Sequence, residues 1–200
     1  CGLNLDSLRE VVSSLQIDKV ELRSERGRRH GVLGTQVSVA VEQDEERRHS
    51  IRDFIEMVEG SCLPRPVITS SIAVLRRIGN VEAKVHGVPL DDVCLHELGS
   101  IDTVIDITCT VMGLTELGVD VVCSSPIPTG SGFVDTDHGR MSVPTPATLA
   151  LLTEAGAPIV PPPGNCQNAG EMVTPTGAAL LTTLATYEQP QMMVQFSLIY

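Results

Sequence analysis

Apolar positions in the first fifteen residues fall at Leu3, Leu8, Val11, Val12 and Leu15, the three-and-four spacing of an amphipathic helix. The period changes to two over Val20-Glu21-Leu22 and again over Val37 to Val41, which predicts two strands joined through the basic, glycine-punctuated connector Arg26 to Gly31. That connector can attract an anion, although a solvated hairpin loop is the simpler account. A charged run, Glu42 to Arg48, separates this αββ subregion (1–50) from a larger α/β subregion (51–200). There, Ile51 to Val58 predicts a short helix and Pro66 to His86 a long one, closed by Gly87 as C-cap. The long helix carries Ile68, Ile72, Leu75, Ile78 and Val85 on its apolar stripe, with Arg76, Arg77, Glu82 and Lys84 off it. Both helices read as scaffold.

Ser100 is placed to cap a helix over Ile101 to Leu117, ended by Gly118, with Asp102 in the first turn where the helix dipole favours a carboxylate. Asp102, Asp106, Cys109 and Gly113 then share one helical face. Val119 to Cys123 predicts a strand, and Ser124 to Gly132 a loop. Phe133 to Thr136 and Arg140 to Val143 flank Asp137-His138-Gly139 as a tight hairpin with Gly in the left-handed position and His138 at the tip. Thr145-Pro146 and Thr174-Pro175 each set Thr at N-cap and Pro at N1, so two further helices start alike, with an extended loop from Pro158 to Gly170 between them. The pattern adds up to an α/β fold, a mixed sheet with flanking helices.

Composition narrows the function classes. A net charge of −11 argues against nonspecific binding to nucleic acid or an anionic membrane, and 2% aromatic residues with no Trp leave no stacking platform for single strands. No apolar run approaches a membrane span, and no basic-then-apolar leader opens the sequence. The six cysteines form no CxxC pair and sit mostly in apolar runs, which fits a reducing, cytoplasmic setting. The sequence opens on Cys1 and ends on the apolar run Met192 to Tyr200, so a piece of a longer protein is expected.

The densest chemistry lies in Val93 to Asp106, where Cys94, His96, Glu97, Asp102 and Asp106 thread an apolar scaffold. Imidazole and carboxylates suit Ni, Mn, Fe or Zn, with Cys94 as an added soft ligand, and the spacing matches no closed structural zinc site. The same groups can instead form a general acid and base, or simply cap and pair along the helix. His138 is a second candidate ligand. Gly130-Ser131-Gly132 and the two Thr-Pro helix starts offer backbone N–H groups to an anion, most strongly if the two N-termini converge. No P-loop, complete GxGxxG, GxSxG or HExxH occurs.

Leu95 to Ile107, Ser125 to Pro128 with Gly130 to Phe133, His138-Gly139, Val143 to Leu149 and Glu171 to Leu181 together resemble, in order and across nearly the whole chain, the LarC family. The resemblance implies a metal chelatase of the lyase type. Its members insert Ni(II) into pyridinium-3,5-bisthiocarboxylic acid mononucleotide, completing the nickel-pincer nucleotide cofactor of lactate racemase. It also implies use of CTP with a divalent metal, bound outside this chain in a missing carboxy-terminal domain, and it is compatible with a homo-oligomer. On this reading the metal set is His96, Glu97, Asp102 and Asp106, backed by Cys94 and His138, with Glu97 and Asp106 as catalytic groups. The substrate phosphate is expected at Gly130, Ser131, Gly132, Thr145, Thr174 and Thr176. The family motif has a second His where this chain has Cys94. Two rival readings are a metal-independent acid/base hydrolase or lyase and a noncatalytic module that scaffolds a larger enzyme.

Overall fold

The amphipathic stripes fold into helices that wrap one apolar core in the computed structural model, which describes residues 3–17, 20–41, 48–164 and 169–188. Cys1, Cys166, the run Met192 to Tyr200 and all of the charged run before Arg48 lie outside the described residues. Helix α1 (Leu5–Ser14) is capped by Asn4, whose side chain accepts from the Asp6 amide. Strands β1 (Val20–Arg29) and β2 (Val32–Val41) follow, then α2 (Ile51–Glu59) and α3 (Arg65–His86). Short 3-10 turns at Leu90–Asp92 and His96–Gly99 lead into α4 (Ile101–Glu116). The remainder alternates short strands with helices: β3 (Val122–Cys123), β4 (Ile127–Pro128), β5 (Gly130–Ser131), β6 (Phe133–Thr136), β7 (Gly139–Ser142), α5 (Pro146–Glu154), β8 (Ile159–Val160), β9 (Gly170–Glu171), α6 (Pro175–Leu184) and β10 (Ala185–Thr186).

The fold is α/β, with the strands in five two-stranded pairs among the described residues. β1–β2, β5–β9 and β6–β7 are antiparallel, and β3–β10 and β4–β8 are parallel. Arg26 to Arg29 belong to β1, paired through to Arg29↔Val32, and the connector shrinks to His30 and Gly31. Both turn residues have positive φ, +50° and +84°, the backbone that a two-residue hairpin matched to strand twist requires. Leu22 at the base of this ribbon is buried, whereas Val32, Leu33 and Val37 farther out are exposed.

Helix α3 packs against α2, α4, α5 and α6 and is the central element. Val67, Val74, Leu75, Ile78 and Val81 bury almost completely, joined by Phe54 and Val58 of α2, Val104, Ile105 and Ile107 of α4, and Leu151 and Leu152 of α5. Burying a Val, Leu, Ile or Phe side chain contributes roughly 1.5–3 kcal/mol, so this cluster fixes where the ends of α3 and α4 point. Gly87 ends α3 in the left-handed conformation at φ +68°, as the sequence predicts. Val11 and Val12 of α1 and Leu15 just after it lie in the same core. No helix among the described residues is long and apolar enough to cross a membrane.

Candidate functional site

On α3 the buried positions Ser71, Leu75 and Ile78 continue one helical stripe, and the next members of that stripe are Glu82 and His86. The sequence reading put Glu82 off the stripe and the helix among the scaffold. In the structure Glu82 is only 6% exposed, because the apolar face runs into the protein before the helix ends. The His86 Nε2 atom lies 3.3 Å from the Glu82 Oε2 atom, the i, i+4 geometry of facing helical side chains.

The chain then turns at Gly87 and returns past the end of α3. Val93 and Leu95 are buried, and the residue between them, Cys94, is exposed. That alternation turns the thiol outward, and it ends at His96, which opens the following 3-10 turn with φ +46°. A left-handed backbone at a non-glycine residue costs roughly 1–2 kcal/mol and persists where the surroundings enforce it. Here the His49 amide donates to the Gly99 carbonyl at 2.8 Å, and a β-carbon at Gly99 would meet the His49 carbonyl oxygen at 2.9 Å. Close backbone approach thus holds the turn.

His138 arrives from a third direction, at the tip of the β6–β7 hairpin. Its amide donates to the Thr136 hydroxyl oxygen at 3.1 Å, Gly139 adopts φ +87°, and Arg48 pairs with Asp137 at 3.3 Å. The hairpin is the one the sequence predicts.

These segments bring His86, His96 and His138 together, with one candidate donor atom from each lying within 4.8 Å of the others. Their ring centroids are 4.1 to 5.1 Å apart. A divalent ion with bonds of roughly 2 Å to imidazole nitrogen would draw such donors closer by small side-chain rotations. Burial first, then the neighbouring His138 and His86, holds the His96 imidazole below the usual range, which favours the neutral form that binds metals. Among the described residues this is the group of three or more His, Cys, Asp or Glu side chains placed to share one ion.

The histidines line a pocket walled by Val85, Leu95, Leu98 and Met141, with Glu82 and Glu97 among its polar groups. Burial, reinforced by Glu97, pushes the Glu82 carboxyl up to about 7, and the same two causes raise the Glu171 carboxyl. Thr145, Pro146 and Ala147 at the start of α5 and Pro175 at the start of α6 line the pocket too, so the two N-termini converge there. They differ in their capping: the Thr174 hydroxyl accepts from the Gly177 amide at 3.2 Å, whereas the Thr145 hydroxyl donates to Thr148 at 3.1 Å.

The remaining residues singled out in the sequence lie elsewhere. Asp102 and Asp106 do share a face of α4 with Cys109: Asp106 is raised by burial and by Asp102, and the Cys109 thiol is pushed up to about 11 by burial and by Asp106. Neither carboxylate lines the pocket or joins the histidines. The Ser100 side chain makes no capping bond to the helix; its hydroxyl contacts the Asp102 carboxylate, which also accepts from the Thr103 amide at 3.1 Å. Gly130 and Ser131 pair with Glu171 and Gly170, and the Ser131 hydroxyl oxygen accepts from the Ala169 amide at 3.2 Å. Gly130 has φ +91°, and a β-carbon there would run into the Gly170 carbonyl, so this stretch laces β5 to β9. Gly132 and Thr176 likewise do not line the pocket. Sequence reasoning missed His86 and Glu82; the signal was a carboxylate and an imidazole at stripe positions of a core helix.

Comparison with known proteins supplies an independent line. Residues 1–198 match a family described as nickel insertion protein. A protein of Thermomicrobium roseum named for nickel insertion is 43% identical over 182 residues, covering 90% of this chain and 43% of that protein. A Desulfitobacterium hafniense relative, named pyridinium-3,5-bisthiocarboxylic acid mononucleotide nickel insertion protein, is 38% identical over 182 residues, with the same shares of 90% and 43%. The chain thus spans less than half the length of these relatives. No solved structure matches it.

Proposed function

Because the chain belongs to the nickel insertion protein family, we propose that it carries the nickel-handling half of a chelatase that loads Ni(II) into pyridinium-3,5-bisthiocarboxylic acid mononucleotide. The observation that carries this reading is the convergence of His86, His96 and His138 on a pocket that two helix N-termini also reach. Neutral imidazoles bind Ni(II) well, yet three of them leave coordination positions open. An ion held this way is secured but not enclosed. The substrate phosphate would sit at the N-termini of α5 and α6, where the helix dipoles, and at α5 a first turn without a side-chain cap, favour an anion on an otherwise acidic protein. That would place the pyridinium ring toward the histidines.

Transfer then exchanges ligands without a redox change. The two sulfurs of the substrate and one ring carbon take up Ni(II) as the imidazoles let go, and the proton on that carbon must leave. Glu97, which lines the pocket, would accept it. CTP and its divalent metal would act outside this chain, and the finished cofactor would serve lactate racemase.

The test is calorimetric titration of the chain with Ni(II) in the native form and in His86→Ala, His96→Asn and His138→Ala. Asn is chosen at 96 because it tolerates the left-handed backbone. Near-stoichiometric binding lost in all three variants supports the assignment; binding unchanged in all three sinks it.

A further inference from the structure

We propose that the outer half of the β1–β2 ribbon docks on a second copy of this chain, against that copy's exposed strip Glu116 to Val121, and that the exchange is reciprocal. Across the ladder Leu22 faces Val39, Ser24 faces Val37 and Arg28 faces Leu33, and opposed residues with every second neighbour share one side of a ribbon. The inner end of that side is already used: Leu22 is 6% exposed, and Val39 packs partly buried against the core. The outer end continues the same apolar row into solvent, with Val37 47% and Leu33 54% exposed. Strands of ten residues reach roughly 33 Å, and a two-stranded ribbon without a covering layer is marginal in water. Among the described residues β1 and β2 pair only with each other, so both long edges stay open as well.

Charge selects the cover. The ribbon carries Arg23, Arg26, Arg28 and Arg29 against Glu21 and Glu25, on a chain whose net charge is −11, so the rest of the molecule is more acidic than the whole. Arg26 and Arg28 lie on the apolar side. Neither pairs with a carboxylate among the described residues, and the Arg28 guanidinium donates only to the Gly31 carbonyl at 3.0 Å. The end of α4 offers the complement: Leu117, Val119 and Val121 are exposed, interleaved with exposed Glu116 and Asp120, which form no ion pair among the described residues. An apolar row edged by cations thus has a counterpart in an apolar row edged by carboxylates. Both stay exposed in a single copy, so neither covers the other within it. A two-fold axis lets each copy lend its ribbon and receive its partner's, a contact that closes at two subunits.

The experiment is sedimentation velocity of the 200-residue chain over a range of protein and salt concentrations. The native chain is expected to form a dimer that weakens as salt rises, because its rim is ionic. Leu33→Glu combined with Val37→Glu should leave a monomer at every concentration, with native circular dichroism, since both positions are exposed in the single copy. Arg26→Glu with Arg28→Glu should weaken the dimer by more than about tenfold through like charges set opposite each other, and so should Glu116→Lys with Asp120→Lys. All four changes in one chain exchange the signs on both surfaces and should restore it. A native chain that stays monomeric to its solubility limit, a dimer untouched by the Leu33 and Val37 changes, or a charge exchange that restores nothing would each overturn the proposal.

Discussion

The pocket at the end of α3 and the acidic face of α4 hold similar chemistry and are built in opposite ways. Asp102, Asp106 and Cys109 are close because they follow one another along one helix, and they present the same outward row to their surroundings. His86, His96 and His138 are close because three separate segments end at one point. A row along a helix can surround nothing, whereas converging segments can offer an ion donors from several sides. Density of ligand types in a sequence is therefore a weaker sign of a site than the meeting of chain ends.

The sharpest way to break this contrast is to remove one member from each region. His96→Asn or His138→Ala is expected to lower Ni(II) affinity by more than about 100-fold, beyond the cost of losing a partner behind a ligand. Asp102→Asn, Asp106→Asn and Cys94→Ser should leave the titration unchanged. A nickel affinity that follows the α4 carboxylates instead would reverse the roles of the two regions.

Gly130→Ala tests whether the glycine loop beside the pocket is architecture. The substituted residue must hold φ +91° against the Gly170 carbonyl, so a loss of about 2–3 kcal/mol and a Tm drop of roughly 4–12 °C are expected. A stable variant that has lost affinity for a nucleotide monophosphate would favour a binding role for the loop.

Glu82 gives the pocket a pH signature that the α4 face lacks in that form. Its folded value near 7 lies above the ordinary 4.5, so between those values the folded protein holds a proton that the unfolded chain has released. That stabilisation is complete below about 4.5 and is lost as pH rises through 7. Thermal melts in metal-free buffer should show native stability falling across this window more steeply than that of Glu82→Gln.

Smaller effects separate the two helix starts. Thr174→Ala should cost about 1 kcal/mol through its lost cap, while Thr145→Ala should cost less as a cap because its hydroxyl bonds Thr148 and not the backbone. Arg48→Ala removes an exposed ion pair of at most about 1 kcal/mol, so its expected trace is a slight loosening of His138, read as a change of a few-fold or less in nickel affinity.

The long helices, the Gly87 cap, the Thr-Pro starts and the hairpin carrying His138 were legible because each is encoded by neighbours in the chain. His96 was legible for the same reason. His86 and Glu82 were not, since they sit in the last turns of a helix whose apolar spacing already explains it. Only the burial of the stripe to its very end, which depends on how α5 and α6 pack, gives those two polar residues their meaning. Asp102 and Asp106 lie apart from the histidine cluster because sequence proximity to His96 is not spatial convergence: the chain turns at Ser100 and α4 carries the carboxylates away. The short strand pairs were hidden by their length; two-residue strands such as β5 and β9 have no period to read.

The three histidines lie on segments that the covalent chain connects only through long detours, from 86 to 96 and on to 138. An ion bound to all three would act as a reversible cross-link, tying the C-terminal end of the core helix to a hairpin otherwise held by exposed contacts. Loading would then stiffen the fold as well as fill a site, since whatever binds the folded form alone adds its binding free energy to stability. Unloading would relax it, so the melting temperature of the chain would serve as a gauge of whether its cargo is aboard.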